Sequence, residues 1–123
     1  MPFMTVAAET GEYVLARIEG DYSHEDFNAC LEAATALLAV HRWTGLLIDL
    51  NKLARRIPIA DLFFAVTEME RKLSPKTRIA LLFPEIWRGD GVFVETAAGN
   101  RGLILRSFVN LDRAIEWLTG NSS

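Results

Sequence analysis

The chain has 123 residues, half of them hydrophobic and 24% charged, which fits one compact domain over residues 1–123 and excludes a disordered chain. Its net charge of −3 gives no electrostatic basis for nucleic-acid binding, and no apolar run approaches the roughly 20 residues of a membrane helix. A single cysteine, Cys30, rules out an internal disulfide and argues against a thiolate metal site.

The opening MPFMTVAAETGEY has no basic stretch followed by a long apolar one. No secretory signal is therefore expected, and a cytoplasmic protein is implied. The charge is unevenly spread. Residues 1–41 carry one Arg against seven acids, residues 42–78 eight basic residues against four acids, and the rest four Arg against five acids. The middle of the chain is locally basic.

Two β-type runs, 3–7 and 13–19, flank Glu9-Thr10-Gly11-Glu12, which predicts a hairpin. Ser23 is a good N-cap for a helix whose first turn holds Glu25 and Asp26, suited to the positive end of the helix dipole. Phe27, Cys30, Leu31, Ala34, Leu37, Leu38 and His41 recur at helical spacing and define its buried stripe. Trp43-Thr44-Gly45 ends the helix, and LLIDL at 46–50 reads as a buried parallel strand.

Residues 51–57 (NKLARRI) form an irregular connection. Pro58 suits the first turn of the next helix, where its missing N–H costs nothing. That helix, 59–73, is expected to bury Ile59, Leu62, Phe63, Val66, Met69 and Leu73. A further strand covers 78–83 and stops at Pro84. Gly89-Asp90-Gly91 then precedes a third helix over 92–100, with Phe93, Thr96, Ala97 and Asn100 on one side and Gly102 as its stop. The last strand is 103–108. Asn110 caps a short final helix, 111–118, with Leu111, Ala114, Ile115 and Leu118 facing inward. A short polar tail, residues 120–123, follows. The order is β-β-α-β-α-β-α-β-α, which implies an α/β fold with a mainly parallel five-stranded sheet and right-handed crossovers.

This order, the acidic Ser-capped first helix, the LLIDL strand and the ending RSFVNLDRAIEWL at 106–118 resemble the STAS domain, the fold of anti-sigma-factor antagonists, and within it the SpoIIAA-like bacterial branch. The resemblance implies parallel strands in sequential order, with the first strand added antiparallel at the edge. It also implies a non-enzymatic regulatory module that acts through protein contact, without a cofactor. The branch is similar as well to the lipid-binding Sec14 (CRAL-TRIO) fold, which implies the alternative of a carrier or sensor for a lipid-like molecule with an acidic head.

The sequence departs from the family at one informative place. Regulatory STAS proteins carry a phosphorylatable Ser in an Asp-Ser-Ser/Thr-Gly stretch at the start of the second helix, where phosphate repels a kinase partner. Here residues 53–61 read LARRIPIAD, and the first hydroxyl afterwards is Thr67. The phospho-switch motif is absent.

Several constellations remain. Lys52, Arg55 and Arg56 precede a helix start after the carboxyl end of a strand, which suits anion capture or an acidic partner; equally, three exposed basic residues are simply solvated. Phe63 and Phe64 are the best pair for a partner surface, in a protein or a second copy as a homodimer, unless the helix is buried over a wide arc. Asp49, within LLIDL, is an acid or base only with a second carboxylate or His nearby; otherwise it bonds the next loop or an Arg. His24, Glu25 and Asp26 point to different sides of one turn and do not converge on a metal. Cys30 lies on the buried stripe as a small hydrophobe, and Ser107 lacks a Gly-x-Ser-x-Gly setting. No catalytic residue, metal ligand or cofactor is assigned. Phe64 and Trp117 lie off the stripes of their helices, Trp87 follows Pro84-Glu85-Ile86, and the glycines around the third helix suggest either a flap or a static, irregular connection.

Overall fold

A computed structural model describes residues 3–8 and 11–120. Its elements are β1 (Phe3–Ala8), β2 (Tyr13–Ile18), α1 (His24–His41), β3 (Gly45–Asp49), α2 (Ile59–Lys72), β4 (Arg78–Leu82), a 3-10 turn (Glu85–Trp87), α3 (Arg88–Gly99), β5 (Ile104–Phe108) and α4 (Leu111–Thr119). Glu9 and Thr10 of the expected hairpin turn, and the tail beyond Gly120, lie outside the described residues.

The five strands form one sheet in the order β1-β2-β3-β4-β5. β1 is antiparallel to β2, with Phe3 opposite Ile18. The other strands are parallel, with Val14 opposite Leu46, Leu46 opposite Ile79 and Ile79 opposite Leu105. The sheet is therefore mixed, with only its edge strand reversed. Because side chains alternate along a strand, Val14, Ala16, Ile18, Leu46, Ile48, Ile79 and Leu81 point to one face, where Phe27, Leu31, Leu62, Val66, Met69, Val94 and Ala98 of α1, α2 and α3 cover them. Leu47, Ala80 and Leu82 point to the other, where they meet Ala114 and Leu118 of α4. The chain thus changes faces once, at β5.

α1 begins as the sequence dictates: the Ser23 hydroxyl accepts from the Asp26 N–H at 3.1 Å. It ends at Arg42, which takes the left-handed conformation (φ 57°) and turns the chain before the expected Trp43-Thr44-Gly45 break. α4 is capped in the same manner, with the Asn110 side chain accepting from the Arg113 N–H.

Expected facings change in three helices. In α2 the buried residues are Leu62, Ala65, Val66, Glu68 and Met69, whereas Ile59 and Phe63 are exposed. Phe63 lies roughly 100° around the helix from the centre of the buried stripe, so an apolar residue type alone misplaced it. α3 starts at Arg88 rather than at residue 92. Gly89-Asp90-Gly91 is its first turn, and Asp90, Gly91, Val94 and Ala98 are its buried residues, while Thr96 and Asn100 face solvent. Gly91 explains the shift, because a Cβ there would fall 2.6 Å from the Ser107 hydroxyl; the bare backbone lets α3 lie directly on β5. Leu111, expected inward, is exposed at the first turn of α4. Trp87 packs against the larger core. Trp117 packs on Phe108 beneath the Arg78 guanidinium.

Candidate functional site

The basic loop leaves the carboxyl end of β3 and is stitched to the end of β2. Gly20 donates to the Lys52 carbonyl at 3.1 Å, and Ala54 donates to the Gly20 carbonyl at 2.7 Å. Leu53 and Ile57 are buried and anchor the loop, whereas Lys52, Arg55 and Arg56 are exposed. Asp49, beneath it, accepts from Arg17 Nε at 3.1 Å and from the Asn51 N–H at 2.9 Å. Its carboxylate shapes the loop through these two contacts.

The three basic residues have different fates. Arg55 pairs with exposed Asp21 at 3.0 Å. Arg56 reaches across 34 residues to Asp90 in the first turn of α3, donating from Nε at 2.8 Å and from Nη2 at 2.6 Å. Asp90 is only 3% exposed. The hydrogen bonds and charge of Asp90 raise the guanidinium pKa above its ordinary value. The anion of Arg56 is thus supplied by the chain itself. Lys52 makes no ion pair among the described residues. A shallow cleft of about 220 Å³ beside the loop is lined by Arg56, Ile57, Pro58 and Ile59.

Phe63 and Phe64 are 47% and 39% exposed, on the two flanks of α2. Arg101 lies over the Phe63 ring, 4.8 Å from its centre, and also pairs with Glu70. The Phe64 ring lies 4.0 Å from that of His24. His24 Nδ1 is 2.9 Å from the Tyr22 hydroxyl, and its Nε2 is 3.2 Å from Asp61. Burial, with Asp61 and Glu68 nearby, pushes the Tyr22 hydroxyl pKa well above 10. The first-turn acids Glu25 and Asp26 do not join His24. Among the described residues no three His, Cys, Asp or Glu side chains gather as a metal site, and no helix is long and apolar enough to cross a membrane.

Cys30 is buried, and loss of solvation pushes its thiol up to about 11. Ser107 donates its hydroxyl to Glu95, which also accepts the Ser107 N–H at 3.2 Å. Glu68, buried on α2, is held by Arg71 at 2.7 Å. Beneath α2 the apolar core leaves a void of about 20 Å³, lined by Tyr22, Phe27, Leu62, Met69 and Phe83 among others. That is room for one water and none for an acyl chain.

Sequence reasoning missed two features. One is Asp90, whose position between two glycines suggested only a loop. The other is a crevice of about 350 Å³ at the carboxyl ends of β4 and β5, lined by Phe83, Phe108 and Val109 together with Arg88, Asn110 and Arg113. Its only trace in the sequence is the basic residue in the opening turn of each of the two flanking helices.

No protein-family model matches the chain, and no curated protein matches it. Its structure is similar to that of an uncharacterised DUF3478-family protein with a SpoIIAA-like fold from Shewanella loihica PV-4. The TM-score is 0.58 over 94% of this chain and 91% of that one, at 20% sequence identity. The fold is therefore SpoIIAA-like, as the element order implied. At this identity the likeness speaks to the fold alone.

Proposed function

We propose that this domain is a cytoplasmic, non-enzymatic binding module that acts through protein contact. The contact surface is the basic loop, residues 51–57, continued by Phe63 and Phe64 of α2. The observation that carries this reading is the exposure of both rings on a helix that also exposes Ile59, directly after a loop exposing Lys52 and Arg55. Exposed aromatic side chains and arginine are enriched at partner surfaces. Arg56 contributes by tying the loop to α3 and so fixing its shape.

The non-enzymatic part rests on the state of the three groups that could have carried chemistry. The Asp49 carboxylate is held by Arg17 and the Asn51 N–H, the Cys30 thiol is buried with a raised pKa, and the Ser107 hydroxyl donates to Glu95 with no histidine among its partners. A lipid carrier would need space between sheet and helices, and the 20 Å³ void there speaks against it.

The test is affinity capture with the tagged domain and a Phe63→Ser/Phe64→Ser variant in parallel, together with sedimentation over a range of concentrations. A protein retained by the parent and lost with the variant, or self-association weakened by it, is expected. Equal retention and equal self-association by both would place the contact elsewhere and overturn this surface.

A further inference from the structure

We propose that the crevice between the starts of α3 and α4 binds a free small molecule carrying one oxyanion, carboxylate or phosphate, on a compact apolar body. This site is separate from the α2 surface and does not depend on that reading.

The fold creates the crevice. α1, α2 and α3 return on one face of the sheet, whereas α4 returns on the other. The segments leaving β4 and β5 must therefore diverge to opposite faces just past the last rung of the sheet, where Phe83 donates to the Phe108 carbonyl at 2.8 Å. Beyond that rung nothing pairs them, and a gap opens at the carboxyl edge, where open α/β sheets place their ligands. Gly91 keeps α3 pressed on Ser107 and gives the gap a firm wall.

The chemistry of the lining selects the ligand. Among the lining residues Arg88 and Arg113 are basic and none is acidic, in a chain whose net charge is −3. Arg113 has no carboxylate partner among the described residues. Arg88 gives one nitrogen to Glu85 at 2.6 Å and keeps the rest of its five N–H donors. The Asn110 oxygen is occupied by the Arg113 N–H, which leaves its NH₂ as a third donor. Arg88 is shared with Glu85 and Ser107 is held by Glu95, but the remaining N–H donors of Arg88, Arg113 and Asn110, two of these groups cationic, fit an oxyanion. The remaining wall, Phe83, Phe108 and Val109, fits an apolar body. The volume of about 350 Å³ is at the small end of ligand pockets, too small for more than a compact molecule.

The test is an NMR titration of the ¹⁵N-labelled full chain with phenyl phosphate and, separately, benzoate. Saturable shifts are expected at the amides of Gly91, Ser107, Asn110 and Arg113. Arg88→Ala and Arg113→Ala should each weaken binding about tenfold or more, while Lys52→Ala/Arg55→Ala leaves it unchanged. Both crevice arginines are exposed, and matching thermal melts establish that the variants are folded. The proposal is overturned if neither compound gives a saturable shift there, or if an Arg88→Ala/Arg113→Ala variant binds as well as the parent. Retention on phosphatidic acid vesicles through the same arginines, without phenyl phosphate binding, would identify a lipid headgroup and overturn the free small molecule.

Discussion

Arg56 and Asp90 show how one residue's role depends on a partner 34 positions away. The two N–H donors of Arg56 match the two oxygens of the Asp90 carboxylate, an arrangement that lysine's single ammonium does not reproduce. Asp90 is buried while the Arg56 side chain is largely exposed, so losing the arginine strands a buried acid. Arg56→Ala and Asp90→Ala are each expected to lower the urea midpoint, and the double variant to be no less stable than the worse single one. Additive losses in that cycle would show that the pair is not coupled. Arg56→Lys should recover only part of the loss.

Cys30 supplies the pH dependence at the same scale. Burial raises its thiol from 9.0 to about 11, so folding favours the neutral form. Its stabilising contribution is complete below pH 9 and is lost as pH rises toward 11. Between pH 8 and pH 10.5 the loss amounts to about 2 kcal/mol. Tyr22, raised by burial, acts in the same direction. Urea unfolding at the two pH values, in the parent and in Cys30→Ala, checks this. The parent should lose more stability than the variant, and an equal fall in both would remove Cys30 as the cause.

At the scale of elements, the order and type of the five strands and four α-helices were legible, because short apolar runs such as LLIDL alternate with 3.6-period stretches and Ser23 and Asn110 mark two helix starts. The burial of α2 was less so. Its stripe Leu62, Ala65, Val66 and Met69 suffices to cover the sheet, leaving Ile59 and Phe63 on a flank that their residue types alone did not reveal. The start of α3 was hidden for a different reason. Glycine costs a helix about 1 kcal/mol relative to alanine, so Gly89 and Gly91 read as a break, whereas the contact of Gly91 with Ser107 rewards the missing side chain. Tertiary packing overrode local propensity there. The basic loop could be read from charge and position, but the partner of Arg56 could not, since only the crossover through α2 and β4 brings Asp90 to it. The crevice was invisible for the same reason: Arg88 and Arg113 share it only because the chain changes faces between their helices.

The molecule as a whole is unequally layered. Three helices cover one face with most of the buried apolar side chains, whereas the opposite core is Leu47, Ala80, Leu82, Ala114 and Leu118 among the described residues. α4 does not cover the β1 end of its face, where Met4 and Val6 stay exposed. Since hydrophobic stabilisation follows buried area, α4 should detach at a lower free energy than the rest of the fold opens. In native-state hydrogen exchange its amides are expected to exchange sooner than those of β3 and β4, with a weak dependence on low urea because little surface is exposed. If they instead follow the global unfolding isotherm, the molecule opens as one unit. The same experiment bears on function. Asn110 and Arg113 belong to the start of α4, so an anion held between Arg88 and Arg113 ties the loosest helix to the start of α3. Ligand bound only to the docked form stabilises it by mass action. Phenyl phosphate should therefore slow exchange in α4 selectively and leave β3 and β4 amides nearly unchanged, because the anion it places between Arg88 and Arg113 holds the start of α4 to that of α3.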